Sequence, residues 1–379
     1  MSDIVIKKNS ALNISVSLFY TSAFTAAFAL LILYSGEAAG AVRSGIELCA
    51  SGVIPSLFPM MFLSQYIVKS GAAEYAGSLL NKPTRLLFGL PGVCGVALLT
   101  AFVGGYPAGA RAAETLVSDG KITRAEGERL AYFAFCSGPG FAIGMIGATV
   151  YKNKSVGLLI LTAQVFSCII IGIAYRLFSK CSPQTIRRNE NCAVSRSPDA
   201  FIQSAADTAQ TLLNMCSFII LFQVITALLG STGVNAALGK MTECIGLGDF
   251  GKILLPCLSE VTGGTVLSVT AGIPFTAFVA GFGGLSVHFQ NFALFRHIRP
   301  KKTLYLLTRL IQGIICGIFV RLALKLPCFS HESLPSSAKV LNGIPSDFSR
   351  VSTGFGCLML IMCLMSVICL PSQKETTQL

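Results

Sequence analysis

Charge is scarce in this 379-residue chain. Only 12% of its residues are Asp, Glu, Lys or Arg, against roughly 25% in soluble globular domains. With 53% hydrophobic residues and a mean hydropathy of +0.69, that shortage excludes a water-soluble fold. Period-two alternation is missing as well. The apolar residues come in long continuous blocks, which excludes a transmembrane β-barrel. No P-loop, Rossmann fingerprint, HExxH or CxxC framework occurs. ATP-driven transport would therefore need a partner chain, and no cofactor or metal site is expected.

What charge there is has a pattern. The net charge of +12 resides in short links between apolar blocks, as the positive-inside rule expects, so nucleic acid is not an expected partner. The 14 cysteines are scattered, many of them within the apolar blocks, and read as small buried hydrophobes. Lys7 and Lys8 before an apolar stretch resemble a signal peptide, but that stretch is too long for an h-region and reads as an uncleaved anchor. The run GLGDF at 246–250 copies the GxGD signature of intramembrane aspartyl proteases. That chemistry needs a second carboxylate in the same site; no aspartate lies within a span, Asp207 stands at the edge of one, and Asp249 itself sits in a glycine-rich link. No enzymatic activity is expected.

Blocks such as 14–34 match the ~20 residues that cross a bilayer as a helix. The spans read as 14–34, 44–68, 128–150, 155–177, 206–230, 274–296, 303–325 and 355–370. Two further apolar segments, 91–117 and 251–271, are opened near their middles by GGYPAG and VTGG. Backbone left unpaired in lipid costs several kcal/mol per group unless protein or a cavity satisfies it, so each segment is expected to be a re-entrant hairpin. The span after each is interrupted too, by CSGPGFAIG at 136–144 and by AGFGGLSVHFQN at 280–291. The order of hairpin and then broken helix thus occurs twice, which marks an internal duplication. The fold expected is an all-α polytopic membrane protein: about eight transmembrane helices and two re-entrant helical hairpins in two inverted repeats.

The organisation follows from this. An anchor helix occupies 1–38, the first repeat 39–180, a basic cytoplasmic linker 181–204, the second repeat 205–325, and an outer link with a last helix 326–379. With Lys7 and Lys8 in the cytoplasm, the first hairpin enters from inside and the second from outside. The linker and RHIRPKK at 296–302 then lie inside, with Lys152 and Lys154 as outside exceptions. An odd number of crossings between two like units inverts them, the layout of many secondary transporters.

Each tip or break offers a helix N-terminus, with about half a positive charge and unpaired N–H groups. Four such termini are expected to converge, near Tyr106, Pro139, Gly264 and Gly284. They would bind the anionic groups of a solute without a buried cation. The candidate substrate-binding residues are Gly104, Gly105, Tyr106, Pro107 and Arg111 in the first hairpin, and Ser137, Gly138 and Pro139 in the break that follows. In the second unit they are Glu260, Thr262, Gly263 and Gly264, then Gly283, Gly284, Ser286 and His288. Pro107 and Pro139 suit the first turn of a half-helix, and the glycines admit positive φ and close approach. Arg111 either binds a carboxylate or snorkels to a cytoplasmic cavity. Glu260 serves substrate, proton or sodium, or pairs with Arg111. His288 is a proton acceptor or an interhelical hydrogen-bonding group.

At GGYPAGAR, SGPGF and FGGLSVHFQN the chain resembles the YlbJ (SpoVV) family of sporulation integral membrane proteins. Those share the nucleoside-recognition gate repeat of concentrative nucleoside transporters and of a ferrous-iron permease. The resemblance covers about residues 40–325. It implies movement of dipicolinic acid, a flat aromatic dianion, across a bacterial cell or forespore membrane. It also implies an amide-bearing break in the third span, where this chain has Cys136, Ser137, Gly138, Pro139 and Gly140. A nucleoside or another carboxylate is the alternative cargo, and a non-transporting membrane scaffold the alternative role. The expected partners are a small-molecule solute and the lipid bilayer, with a homo-oligomer compatible with this layout. Cysteine labelling is expected to reach residues 119–123 from the cytoplasm and 240–246 from the opposite side; same-side labelling would contradict the inversion.

Overall fold

The structure, a computed structural model, describes residues 17–18, 21–70, 77–178, 198–244, 246 and 250–326. Among these, all regular secondary structure is helical. Helix α1 (Thr21–Leu33) is followed by α2 (Ser35–Lys69), one continuous rod with a π-turn at Cys49–Val53. The rod starts well before the expected span at 44, because the segment before it (SGEAAGAVR) has no proline to stop a helix. A short helix α3 (Asn81–Phe88) ends on Gly89 in the left-handed conformation, φ 62°. The chain then turns through 88° into α4 (Gly92–Gly104). Next come α5 (Tyr106–Ser118), α6 (Arg124–Phe133), the π-type α7 (Gly140–Val150) and α8 (Lys154–Phe178).

The second half repeats this order. A long α9 (Pro198–Ser231) precedes a short α10 (Val234–Cys244). Then follow α11 (Phe250–Ser259), α12 (Val261–Leu267, continued by a 3-10 turn to Ala271), α13 (Ile273–Phe282), α14 (Gly284–Leu294) and the long α15 (Lys302–Ala323). Each half therefore runs long helix, short helix, two-legged hairpin, two-part helix, long helix.

Among the described residues, four helices are long and apolar enough to cross a membrane, and five if the bent pair α3–α4 counts as one span. They carry the expected spans at 44–68, 155–177, 206–230 and 303–325. The spans at 128–150 and 274–296 are each two shorter helices, as their glycine breaks require. Residues 355–370, the linker at 181–197 and Asp249 lie outside the described residues.

The polarity of the bundle is inverted relative to a soluble protein. Phe24, Phe178 and Leu307 face outward at 75%, 89% and 51% exposure. Gln164, Arg309, Gln312 and Ser286 are fully buried. Lipid accepts such an apolar surface and water does not. The protein is an integral, multi-pass membrane protein.

Local chemistry sets the helix ends. At α6, the Thr123 hydroxyl accepts the Glu126 N–H at 3.2 Å while Glu126 Oε2 accepts the Thr123 N–H at 2.8 Å, a reciprocal capping box. Helices α7 and α8 touch through glycine. A Cβ on Gly157 would sit 2.3 Å from the Ala142 carbonyl oxygen and 2.7 Å from Ile143 Cα. Gly157→Ala is expected to destabilise by about 1–3 kcal/mol, because backbone cannot give way. Gly40→Ala, with open space around it, is expected to be neutral or stabilising by up to about 1 kcal/mol. Melting of the detergent-solubilised variants compares the two.

Candidate functional site

At both tips the chain doubles back. Residues seven or eight apart on a straight helix lie about 10–12 Å apart. Yet a Cβ on Gly109 would be 2.5 Å from Ala101 Cβ, and one on Gly264 would be 2.8 Å from Cys257 Cα. The Cys257 thiol donates to the Gly264 carbonyl at 3.2 Å. The first reversal centres on Gly105, whose φ of 87° and ψ of −173° only glycine adopts readily. Pro107 stands in the first turn of α5, as expected.

The second reversal comes before the VTGG run and not within it, so that the following helix starts at Val261, three residues ahead of the expected Gly264. It falls at Glu260, whose extended backbone precedes α12 and whose carboxylate accepts Thr262 N–H at 2.8 Å and Gly263 N–H at 2.6 Å. A side chain that caps its own helix this way starts that helix immediately after itself. Helix α12 thus does not start at Gly264, and its first free N–H groups, those of Thr262 and Gly263, are already taken by the Glu260 carboxyl oxygens.

Both tips and both breaks meet. A Cβ on Gly105 would stand 2.9 Å from the Ser137 carbonyl, and one on Gly138 (φ 75°) 3.0 Å from Gly105 N. On the other side, a Cβ on Gly284 (φ 73°) would stand 2.9 Å from Val261 N, next to Glu260. Gly283 (φ 88°) joins the pairs, for its Cβ would lie 2.4 Å from Phe135 Cζ and 3.7 Å from Tyr106 Cε1. The Tyr106 hydroxyl crosses between the halves to donate to the Ala280 carbonyl, and its ring lies 4.5 Å from that of Phe135. Gly104 packs at equally short range on Ser64 of α2, and Pro139 is half-buried at the start of the helix leading into α7.

The amide expected at the first break comes from a neighbouring helix. Gln164 of α8 accepts Ser137 N–H and Ser137 Oγ–H, both at 2.8 Å. Gln312 of α15 donates to the Phe135 carbonyl at 2.6 Å. The two glutamines occupy one repeated pattern, Q-x-x-x-C, at 164–168 and 312–316. That pattern was a legible signal for this pair of residues, which the glycine-centred reading passes over. Arg309, one turn before Gln312, was legible as well: a lone cation in the apolar run of α15. It is fully buried, donating from Nη1 to Gln312 Oε1 at 2.6 Å and from Nη2 to the Tyr132 carbonyl.

Other predicted residues divide. Arg111 faces α9, where it donates to the Asp207 carbonyl at 3.1 Å and to the Thr211 hydroxyl. No contact joins it to Glu260. Thr262, Ser286 and His288 are buried, and Thr262 Oγ1, Ser286 Oγ and both His288 ring nitrogens lack a hydrogen-bond partner. The same holds for Gln164 Nε2 and Asn291 Oδ1. Orphaned buried polar groups at this density call for a ligand or water. Beside the second tip lies a cavity of ≈ 280 Å3, lined by Ser44, Gln223, Thr226, Glu260 and Gly263 among others. No three His, Cys, Asp or Glu side chains gather among the described residues in a way that would hold a metal.

Fold and site together define a multi-pass helical membrane protein organised around paired helix breaks. Residues 50–179, the first unit, match the family described as Gate, nucleoside recognition. Along nearly its whole length the chain is similar to the sporulation integral membrane protein YlbJ of Bacillus subtilis (strain 168). The two are 28% identical over 380 residues, covering 92% of this chain and 90% of that protein. The resemblance read from the three motifs is thereby borne out. No solved structure matches.

The contact at Gly284 is testable by itself. Gly284→Ala adds a left-handed penalty of about 1–2 kcal/mol to a clash with the second tip. It is expected to lower the melting temperature, while Gly36→Ala, with open space around it, does not.

Proposed function

We propose that this protein is a secondary-type carrier of a small anionic aromatic solute, with dipicolinic acid the cargo, across a forespore membrane during sporulation. It carries out no chemical conversion, and its partners are the solute and the bilayer. The observation that carries this reading is the meeting of two tips and two breaks around buried polar groups without partners. Helices continuous through the bilayer would need neither the glycines nor the orphaned donors. The matched Gate family supports solute recognition, and the similarity to a sporulation membrane protein supports the setting.

In this reading the hairpins α4–α5 and α11–α12 are re-entrant, inserted from opposite faces. Alternating access proceeds by parting one tip from its break while the other stays shut. The N-termini of α5, α14 and the helix leading into α7 draw the carboxylates. Phe135, Phe141 and Tyr106 supply flat apolar walls for the ring. Glu260, already bound to two backbone N–H groups, holds the second tip in shape beside the cavity.

Reconstituted vesicles compared with dipicolinate, nucleosides and simple dicarboxylates are the test. Saturable uptake of dipicolinate is expected, lost in Glu260→Gln and in Gly105→Leu, both of which still insert. Uptake of a nucleoside in its place would change the cargo. No saturable uptake of any solute, with inserted protein, would favour the scaffold role and end the carrier reading.

A further inference from the structure

Arg309 is a full positive charge in the least accessible part of the bundle, with 0% exposure. Among the described residues the ion pairs are Lys69–Asp207, Lys121–Asp119, Arg124–Glu128 and His297–Glu114, and Arg309 is in none of them. Its two hydrogen-bond partners, the Gln312 amide and the Tyr132 carbonyl, are neutral. An isolated buried charge is strongly unfavourable unless paired. The Nε–H is moreover without any partner. Together with an Nη–H, that edge of a guanidinium is half of the fork that grips a carboxylate in bidentate fashion.

A structural role alone does not account for this. Donating to the Tyr132 carbonyl at the end of α6 is work a neutral amide can do, as Gln312 does for the Phe135 carbonyl at 2.6 Å. The surroundings instead suit a planar acid. The guanidinium carbon lies 4.4 Å from the Phe135 ring centroid and 5.5 Å from that of Tyr305. Phe135 and Tyr305 also flank His288, at 5.8 Å and 5.5 Å. Both nitrogens of His288 lack a partner, and its ring stands edge-on to Phe282 at 4.9 Å.

We infer that Arg309 is the fixed counter-charge for a carboxylate of the transported solute, with His288 beside it as a second polar contact and Phe135, Phe282 and Tyr305 as aromatic walls. The site takes a carboxylate on a flat ring and discriminates against its neutral amide. A solute reaches it when the link 134–137 moves off α15. The assignment rests on the carrier reading for its cargo, but not for its charge.

The test uses the full-length, detergent-solubilised protein and titrates pyridine-2,6-dicarboxylate against its diamide by calorimetry, with benzoate and phosphate in parallel. The wild type is expected to prefer the dicarboxylate by about 10- to 100-fold, the range of a charge-assisted hydrogen-bonded pair. Arg309→Met is expected to abolish that preference. Arg309→Lys, which keeps the charge but not the fork, is expected to reduce it several-fold, and it decides the matter if the Met variant does not insert. A variant of either kind that keeps the full preference overturns the proposal. So does an equal loss for acid and diamide accompanied by a lower ligand-free melting temperature, the mark of a helix cap only. Arg309-dependent binding of benzoate or phosphate without the pyridine acid would leave the counter-charge standing and end the dipicolinate reading. Dicarboxylate binding indifferent to Arg309 would do the reverse.

Discussion

Backbone that leaves its helix inside a bilayer must be hydrogen-bonded by protein, since lipid offers neither donors nor acceptors. Four breaks in one bundle multiply that demand; side chains meet it at Ser137, Phe135, Thr262 and Gly263, and the breaks pack against one another. Gly105 lies against the Ser137 carbonyl, Gly284 against the Val261 N–H, and Gly283 in contact with the Phe135 and Tyr106 rings. Any Cβ at these places would separate the units by its own width. The glycines of GGYPAG, SGPG and FGGL therefore answer two constraints at once, the close packing of the breaks and the positive φ of Gly105, Gly138, Gly283 and Gly284.

The same constraint explains the buried amides. The freed Ser137 N–H is met by Gln164 from α8 and the Phe135 carbonyl by Gln312 from α15, one amide from each half of the chain. The two halves share an order of elements without sharing a solution. The first break borrows amides from neighbouring helices, whereas the second tip is capped by its own carboxylate at Glu260. One consequence is an asymmetry: a carboxyl group is built in at the second tip and a guanidinium, Arg309, behind the first break.

Much of the architecture was legible in advance because lipid imposes so simple a rule. Apolar runs of membrane length became α2, α8, α9 and α15, and runs with glycine and proline at their centre became hairpins or two-part helices. Where the reading missed, it did so by counting residues without their side-chain reach. VTGG marks the second tip only approximately, since a carboxylate that caps two N–H groups places the helix start directly behind Glu260. Arg111, close to the first tip in sequence, points along α5 to α9 and Thr211. Arg309 and Gln312, about fifty residues beyond the second tip, point straight at the first break.

By itself the sequence determined that the chain is helical, membrane-embedded and doubled. Hydropathy and the placement of glycine act locally, within one helix length. It could not say which break faces which, nor that Tyr106 of the first half donates to Ala280 of the second. Those pairings depend on how distant helices pack. The buried positive charge behind the first break, like the capped tip opposite it, exists only once that packing has closed around both.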